Sequence, residues 1–128
     1  MKLEHVALLV ADPAGMARWY GEHLGMRVVR SGDEPSHARF LADAAGESIL
    51  ELYTGKLPIP DYASMDPLLL HVAFGSDDVS GTRARLIAAG ATPVGEITVS
   101  PTGDEFAMLR DPWGLAVQLV RRARRLVG

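Results

Sequence analysis

His71-Val72-Ala73-Phe74-Gly75 restates His5-Val6-Ala7-Leu8-Leu9 at an offset of 66 residues (71 − 5). The echo continues outward from both segments. Leu24-Gly25 returns as Ala89-Gly90, an offset of 65 (90 − 25), and Glu51-Leu52 returns as Gln118-Leu119, an offset of 67 (118 − 51). Three separate landmarks that keep nearly the same spacing indicate a duplicated module rather than a chance match.

Within each copy the punctuation is the same. Residues 3–10 alternate and are rich in β-formers, which predicts a strand. Asp12-Pro13 supplies an N-cap and a proline for the first helical turn. Met16, Trp19, Tyr20 and Leu24 then keep helical spacing, and Gly25 stops the helix. Trp19 and Tyr20 are expected in the core. Strand-like runs follow at residues 26–30, 38–42 and 48–54. In the second copy a strand is expected over residues 68–75. A helix capped by Asp78 should bury Val79, Leu86 and Ile87 and stop at Gly90, with strands over 92–99, 106–110 and 115–121. The reading is an α+β chain of two tandem βαβββ modules in one domain spanning residues 1–128. Module one covers residues 1–55 and module two 68–128, joined by a connector over 56–67 that carries Pro58, Pro60 and Pro67.

Composition narrows the function classes. There is no cysteine, so thiolate metal sites, thiol nucleophiles and disulfides are excluded, and a metal must be held by His, carboxylate or amide groups. A net charge of −3 argues against a nucleic-acid partner. No apolar run is long enough to cross a bilayer, and Met1-Lys2-Leu3-Glu4-His5 has no signal-peptide pattern, so cytoplasm is the expected location and no membrane partner is expected. Arg121, Arg122, Arg124 and Arg125 crowd the end of the chain and read as a solvated tail, with an anion or nucleic-acid contact as the alternative. His23 and His37 lack a matched residue in the other copy and are expected at the surface. Asp111-Pro112-Trp113-Gly114 reads as a structural turn.

Strand side chains alternate between two faces. Val6, Leu8 and Val10, like Val72 and Phe74, are expected to face the helices, which puts His5 and His71 on the other face. Leu50 and Leu52, like Val117 and Leu119, are expected in the core, which puts Glu51 and Gln118 on that same other face. Two imidazoles, a carboxylate and a carboxamide at matched positions suit a borderline divalent ion such as Ni, Zn, Co, Mn or Fe(II). Leaving such groups among apolar neighbours without compensation costs several kcal/mol for a charge, on the order of the penalty for burying it unpaired.

The order of His5-Val6-Ala7, Trp19-Tyr20, Leu24-Gly25, Leu50-Glu51-Leu52, His71-Val72-Ala73-Phe74, Asp111-Pro112-Trp113-Gly114 and Gln118-Leu119 resembles the vicinal-oxygen-chelate superfamily of glyoxalases, bleomycin-resistance proteins and dioxygenases, nearest to bacterial glyoxalase I. The resemblance covers almost the whole chain. It implies a curved, half-barrel mixed sheet with helices outside, a homodimer, and one divalent metal held by His5, Glu51, His71 and the position of Gln118. It also implies a lyase, isomerase or epimerase acting on a small substrate with vicinal oxygens, with Glu51 as the catalytic base. Phe40, Ile49, Tyr53 and Met108 are expected to line the substrate pocket, and Arg39 to meet an anionic substrate. Two departures stand out. The fourth ligand is usually Glu, and Gln118 cannot act as a base. The Asn that holds glutathione is replaced by Tyr53-Thr54-Gly55, and no basic residue occurs in Ser100-Pro101-Thr102-Gly103-Asp104. The alternative reading is a metal-free binding protein of the bleomycin-resistance kind.

Overall fold

The protein is described here by a computed structural model covering residues 1–127. It divides into two compact units, the first ending at Pro60 and the second beginning at Asp61.

The first unit contains β1 (Val6–Leu9), α1 (Pro13–Leu24), β2 (Arg27–Ser31), β3 (Arg39–Ala42) and β4 (Ile49–Tyr53). Its sheet runs β1-β4-β3-β2, so the first strand pairs with the last. That pairing is parallel and the others are antiparallel. A parallel pair needs a long crossover, and α1 lies within it. Asp12 caps the helix by accepting from Gly15 N at 3.0 Å, and Pro13 occupies the first turn. Gly25 closes the helix in the left-handed region (φ 70°), donating its N–H to Tyr20 O. The apolar stripe Met16, Ala17, Trp19 and Tyr20 is buried, and the helix packs on β2, β3 and β4. Removing a side chain such as Tyr20 from water contributes roughly 1.5–3 kcal/mol before entropy is counted.

The second unit repeats the plan with β5 (Val72–Gly75), α2 (Val79–Ala88), β6 (Thr92–Val99), β7 (Glu105–Arg110) and β8 (Ala116–Arg121), in the sheet order β5-β8-β7-β6. Asp78 caps α2 by accepting from Gly81 N at 3.0 Å, the same bond in the same place as in the first unit. Val79 and Leu86 are buried under the helix, while Ile87 is half-buried. Two helices on two four-stranded mixed sheets make an α+β fold of two βαβββ modules, as the duplicated sequence predicts.

Several expectations need correction. The first strand of each module is shorter than the alternation suggested, and both His5 and His71 lie one residue ahead of it. Residues 68–70 form a turn instead of extending the strand, because Asp66 captures the backbone. Its carboxylate accepts from Leu68 N and its carbonyl from Leu69 N, both at 2.9 Å. Leu8 and Val10 are buried, but Val6 is 49% exposed, and Val72 and Phe74 are only half-buried. The reason is topological: β1 and β5 are edge strands, covered by a neighbour on one side only. His23 is half-buried rather than free on the surface, its ring 5.2 Å from that of Trp19. The arginine-rich end is partly tied down. Arg121 pairs with Glu105 and Arg122 with Asp104, each at 3.0 Å, and Arg122 also lies over the Phe106 ring at 5.2 Å. The Asp104 carboxyl is held below its ordinary value of 3.8, first by the Ala123 N–H at 2.8 Å and then by Arg122. Among the described residues no helix is long and apolar enough to cross a membrane.

Candidate metal centre

Register places the candidate residues with little freedom. In module one Ala7 is opposite Glu51, and Phe40 is opposite Glu51 on its other side. Residues directly opposite share a face, so Ala7, Glu51 and Phe40 form one row. Alternation puts Ile49 and Tyr53 on that face too, and both are half-buried. In module two Ala73 is opposite Gln118, and Met108 is opposite Gln118. Met108 is therefore the counterpart of Phe40 at an offset of 68 (108 − 40), a match visible only once the strands are in register.

His5 joins the first row. Its ring meets the Phe40 ring edge-on at 5.8 Å, and its Nε2 stands 3.4 Å from Glu51 Oε1. Its Nδ1 lies 2.7 Å from Glu4 Oε1. Both neighbours of the ring are carboxylates, which only accept; with the proton of the neutral ring on Nδ1, where the contact at 2.7 Å is the shorter, Nε2 keeps its lone pair. That lone pair then faces a carboxylate oxygen with no hydrogen between them. A cation between the two relieves the repulsion. Two donors each about 2.0–2.1 Å from a tetrahedral ion stand about 3.3 Å apart, so the spacing suits a shared divalent ion.

His71 has the same division of labour. Its Nδ1 is 2.8 Å from Pro67 O, and a carbonyl only accepts, so the neutral ring donates from Nδ1 and leaves Nε2 free to ligate. Metal-binding histidines commonly fix their orientation in this way. Glu4 and the Pro67 carbonyl escaped the sequence reading. Glu4 is adjacent to His5 in sequence, but a carbonyl partner depends on a backbone turn that no residue type announces.

Arg39 sits at the start of β3, where its Nη1 donates to the carbonyls of Gly32, His37 and Ala38 at 3.1, 2.9 and 3.1 Å. It braces the β2–β3 loop. The structure thus brings His5, Glu51 and Phe40 together in module one and pairs Gln118 with Met108 in module two. Among the described residues no group of three or more His, Cys, Asp or Glu is placed to hold a metal ion.

Residues 2–119 match the Glyoxalase/Bleomycin resistance protein/Dioxygenase superfamily. The chain belongs to this superfamily. It is 27% identical over 124 residues to a lactoylglutathione lyase from Haemophilus influenzae, with 94% of this chain and 92% of that protein covered. A glyoxalase family protein from Bacillus cereus superposes with a TM-score of 0.81 at 18% identity, covering 94% of this chain and 93% of that one. A second, from Enterococcus faecalis, gives 0.72 at 24% identity over 93% and 96% of the two chains. At such identities the two structures speak for the superfamily's fold alone.

Proposed function

We propose that the protein is a divalent-metal-dependent enzyme, a lyase, isomerase or epimerase, acting on a small substrate with two adjacent oxygens. The observation that carries this reading is the approach of His5 Nε2 to Glu51 Oε1 at 3.4 Å, with His5 Nδ1 engaged elsewhere. His5 and Glu51 would hold the ion, and the family resemblance adds His71 and the Gln118 carboxamide oxygen to the ligand set. When bound, the ion stabilises negative charge developing on the substrate oxygens. Glu51 is the carboxylate available to take a proton from the substrate carbon and return it to the neighbouring one. It lies between Leu50 and Leu52, both buried, with 19% of its side chain exposed, so water competes poorly for the position. Phe40, Ile49 and Tyr53 supply an apolar wall beside Glu51, and Met108 stands at the matching place beside Gln118. The departures at Tyr53-Thr54-Gly55 and Ser100–Asp104 favour a substrate other than a glutathione adduct, despite the likeness to a lactoylglutathione lyase. In this reading the protein works as a homodimer.

Gln118 favours a second reading, a metal-free small-molecule binding protein, since a carboxamide is a weaker ligand than the usual carboxylate. Elemental analysis of untagged protein separates the two. About one metal per chain, lost in His5→Ala/His71→Ala, is the expected result. No bound metal, and no thermal shift with Ni, Zn, Mn or Fe(II), sinks the enzyme reading and leaves the binding protein.

A further inference from the structure

The geometry assigns Arg110 a positioning role toward His71, exercised through the strap of residues 62–67; this deepens the metal-site reading and rests on it. Arg110 ends β7. Its Nη1 donates to Tyr62 O at 2.8 Å and to Gly114 O at 3.1 Å, and its Nη2 donates to Met65 O at 2.8 Å. One guanidinium therefore ties both ends of the short 3-10 turn Tyr62–Ser64 to the β7–β8 turn. The strap is also pressed flat against that turn. A Cβ on Gly114, whose φ is 92°, would lie 2.7 Å from Ala63 Cβ and 2.9 Å from Ala63 N. Asp111, buried at 3% exposure, holds the turn from beneath by accepting from Trp113 N at 2.9 Å and Leu115 N at 3.0 Å.

The strap leads directly to His71. Two residues beyond Met65 comes Pro67, whose carbonyl accepts the His71 Nδ1 proton at 2.8 Å. Asp66 fixes the backbone on the far side through its bonds to Leu68 N and Leu69 N. The carbonyl that selects the His71 tautomer is thus held between the Arg110 bond to Met65 upstream and the Asp66 bonds to Leu68 and Leu69 downstream. A planar fork reaches carbonyls in different directions at once, whereas a lysine is a single point donor. The Asp111-Pro112-Trp113-Gly114 turn, structural by its sequence, becomes the seat of a device that keeps His71 Nε2 free.

The test reads the His71 tautomer by 15N NMR on the metal-free full chain near pH 9, well above the usual imidazole pKa of about 6.5. The wild type is expected to show Nδ1–H at His71, assigned against His71→Asn. Arg110→Gln and Gly114→Ala are expected to shift the population toward Nε2–H, and Arg110→Lys to shift it part-way. Arg83→Gln removes an arginine whose Nη2 donates to Gly95 O at 3.2 Å, away from the strap, and is expected to leave the tautomer alone whatever its effect on Tm. Metal titration is expected to weaken about tenfold in Arg110→Gln, the low end of losses for outer-shell changes, and not in Arg83→Gln. Nε2–H in the wild type overturns the proposal. So does unchanged Nδ1–H in whichever of the three strap variants fold, or an equal shift in Arg83→Gln. If the tautomer responds as expected but the wild type takes up neither Ni nor Zn, the strap coupling stands and the metal reading falls.

Discussion

The two modules share a frame and differ in chemistry. Ala7 faces Glu51 as Ala73 faces Gln118, and Phe40 faces Glu51 as Met108 faces Gln118. The helix caps also match, with Asp12 to Gly15 and Asp78 to Gly81 each at 3.0 Å. The functional positions diverge within that frame. Module one pairs its histidine with a carboxylate; module two offers a carboxamide. His5 is steadied by the exposed side chain of its neighbour Glu4, His71 by a carbonyl on an anchored strap. Duplication has preserved where the groups stand and not what they are. In the proposed reading the proton-accepting role falls to module one, while the histidine with the backbone partner belongs to module two.

The largest effects should test the shared frame. Leu52 and Leu119 are matched and fully buried. Leu52→Ala and Leu119→Ala are each expected to cost about 2–5 kcal/mol, from lost burial plus the cavity left behind. Chemical denaturation checks this, and a large inequality between them breaks the equivalence of the two cores. Next comes the chemical difference. Gln118→Glu supplies the missing carboxylate and should tighten divalent-metal binding by at least about tenfold, since a charge about 4 Å away at intermediate dielectric is worth a few kcal/mol. Calorimetric titration showing no gain would mean that position 118 lies outside the ligand set. Smaller still, Asp12→Ala and Asp78→Ala each remove one cap bond and should cost about 1 kcal/mol apiece by thermal unfolding. The last prediction concerns a feature of module two. Asp104 has its pKa lowered in the folded chain by Ala123 N–H and Arg122. A depressed folded pKa contributes stability above the ordinary value of 3.8, and that contribution is lost as pH falls through the lower folded value. Amide exchange at Ala123 should therefore quicken only below pH 3.8, and Asp104→Asn should abolish the pH step.

Much of this frame was legible beforehand because it depends on residue type at fixed spacing. Asp-Pro and Asp78 announce helix starts, Gly25 a stop, and apolar neighbours on either side of Glu51 and Gln118 fix the face each occupies. What escaped depends on strand and hydrogen-bond partners that residue type does not announce. Alternation could not reveal that β1 and β5 are edge strands, so Val6 looked like core. Leu68 and Leu69 looked like strand because the local pattern is apolar, yet Asp66 turns the backbone there. Arg39 was named for its charge, and its bonds to three carbonyls of its own loop leave no trace in composition. Phe40 was named for its character, and only register showed it to be the counterpart of Met108.

The strand order has a consequence for synthesis. Because β1 pairs with β4, the first strand of each module waits during synthesis for the last, in module one from Ala7 to its partner Glu51, or 44 residues (51 − 7). At about 5–20 residues per second that delay is roughly 2–9 s. During it the apolar edge of Val6–Leu9 has no strand beside it, so each module is at its most vulnerable to wrong pairing just before it closes, and the chain passes through that window twice.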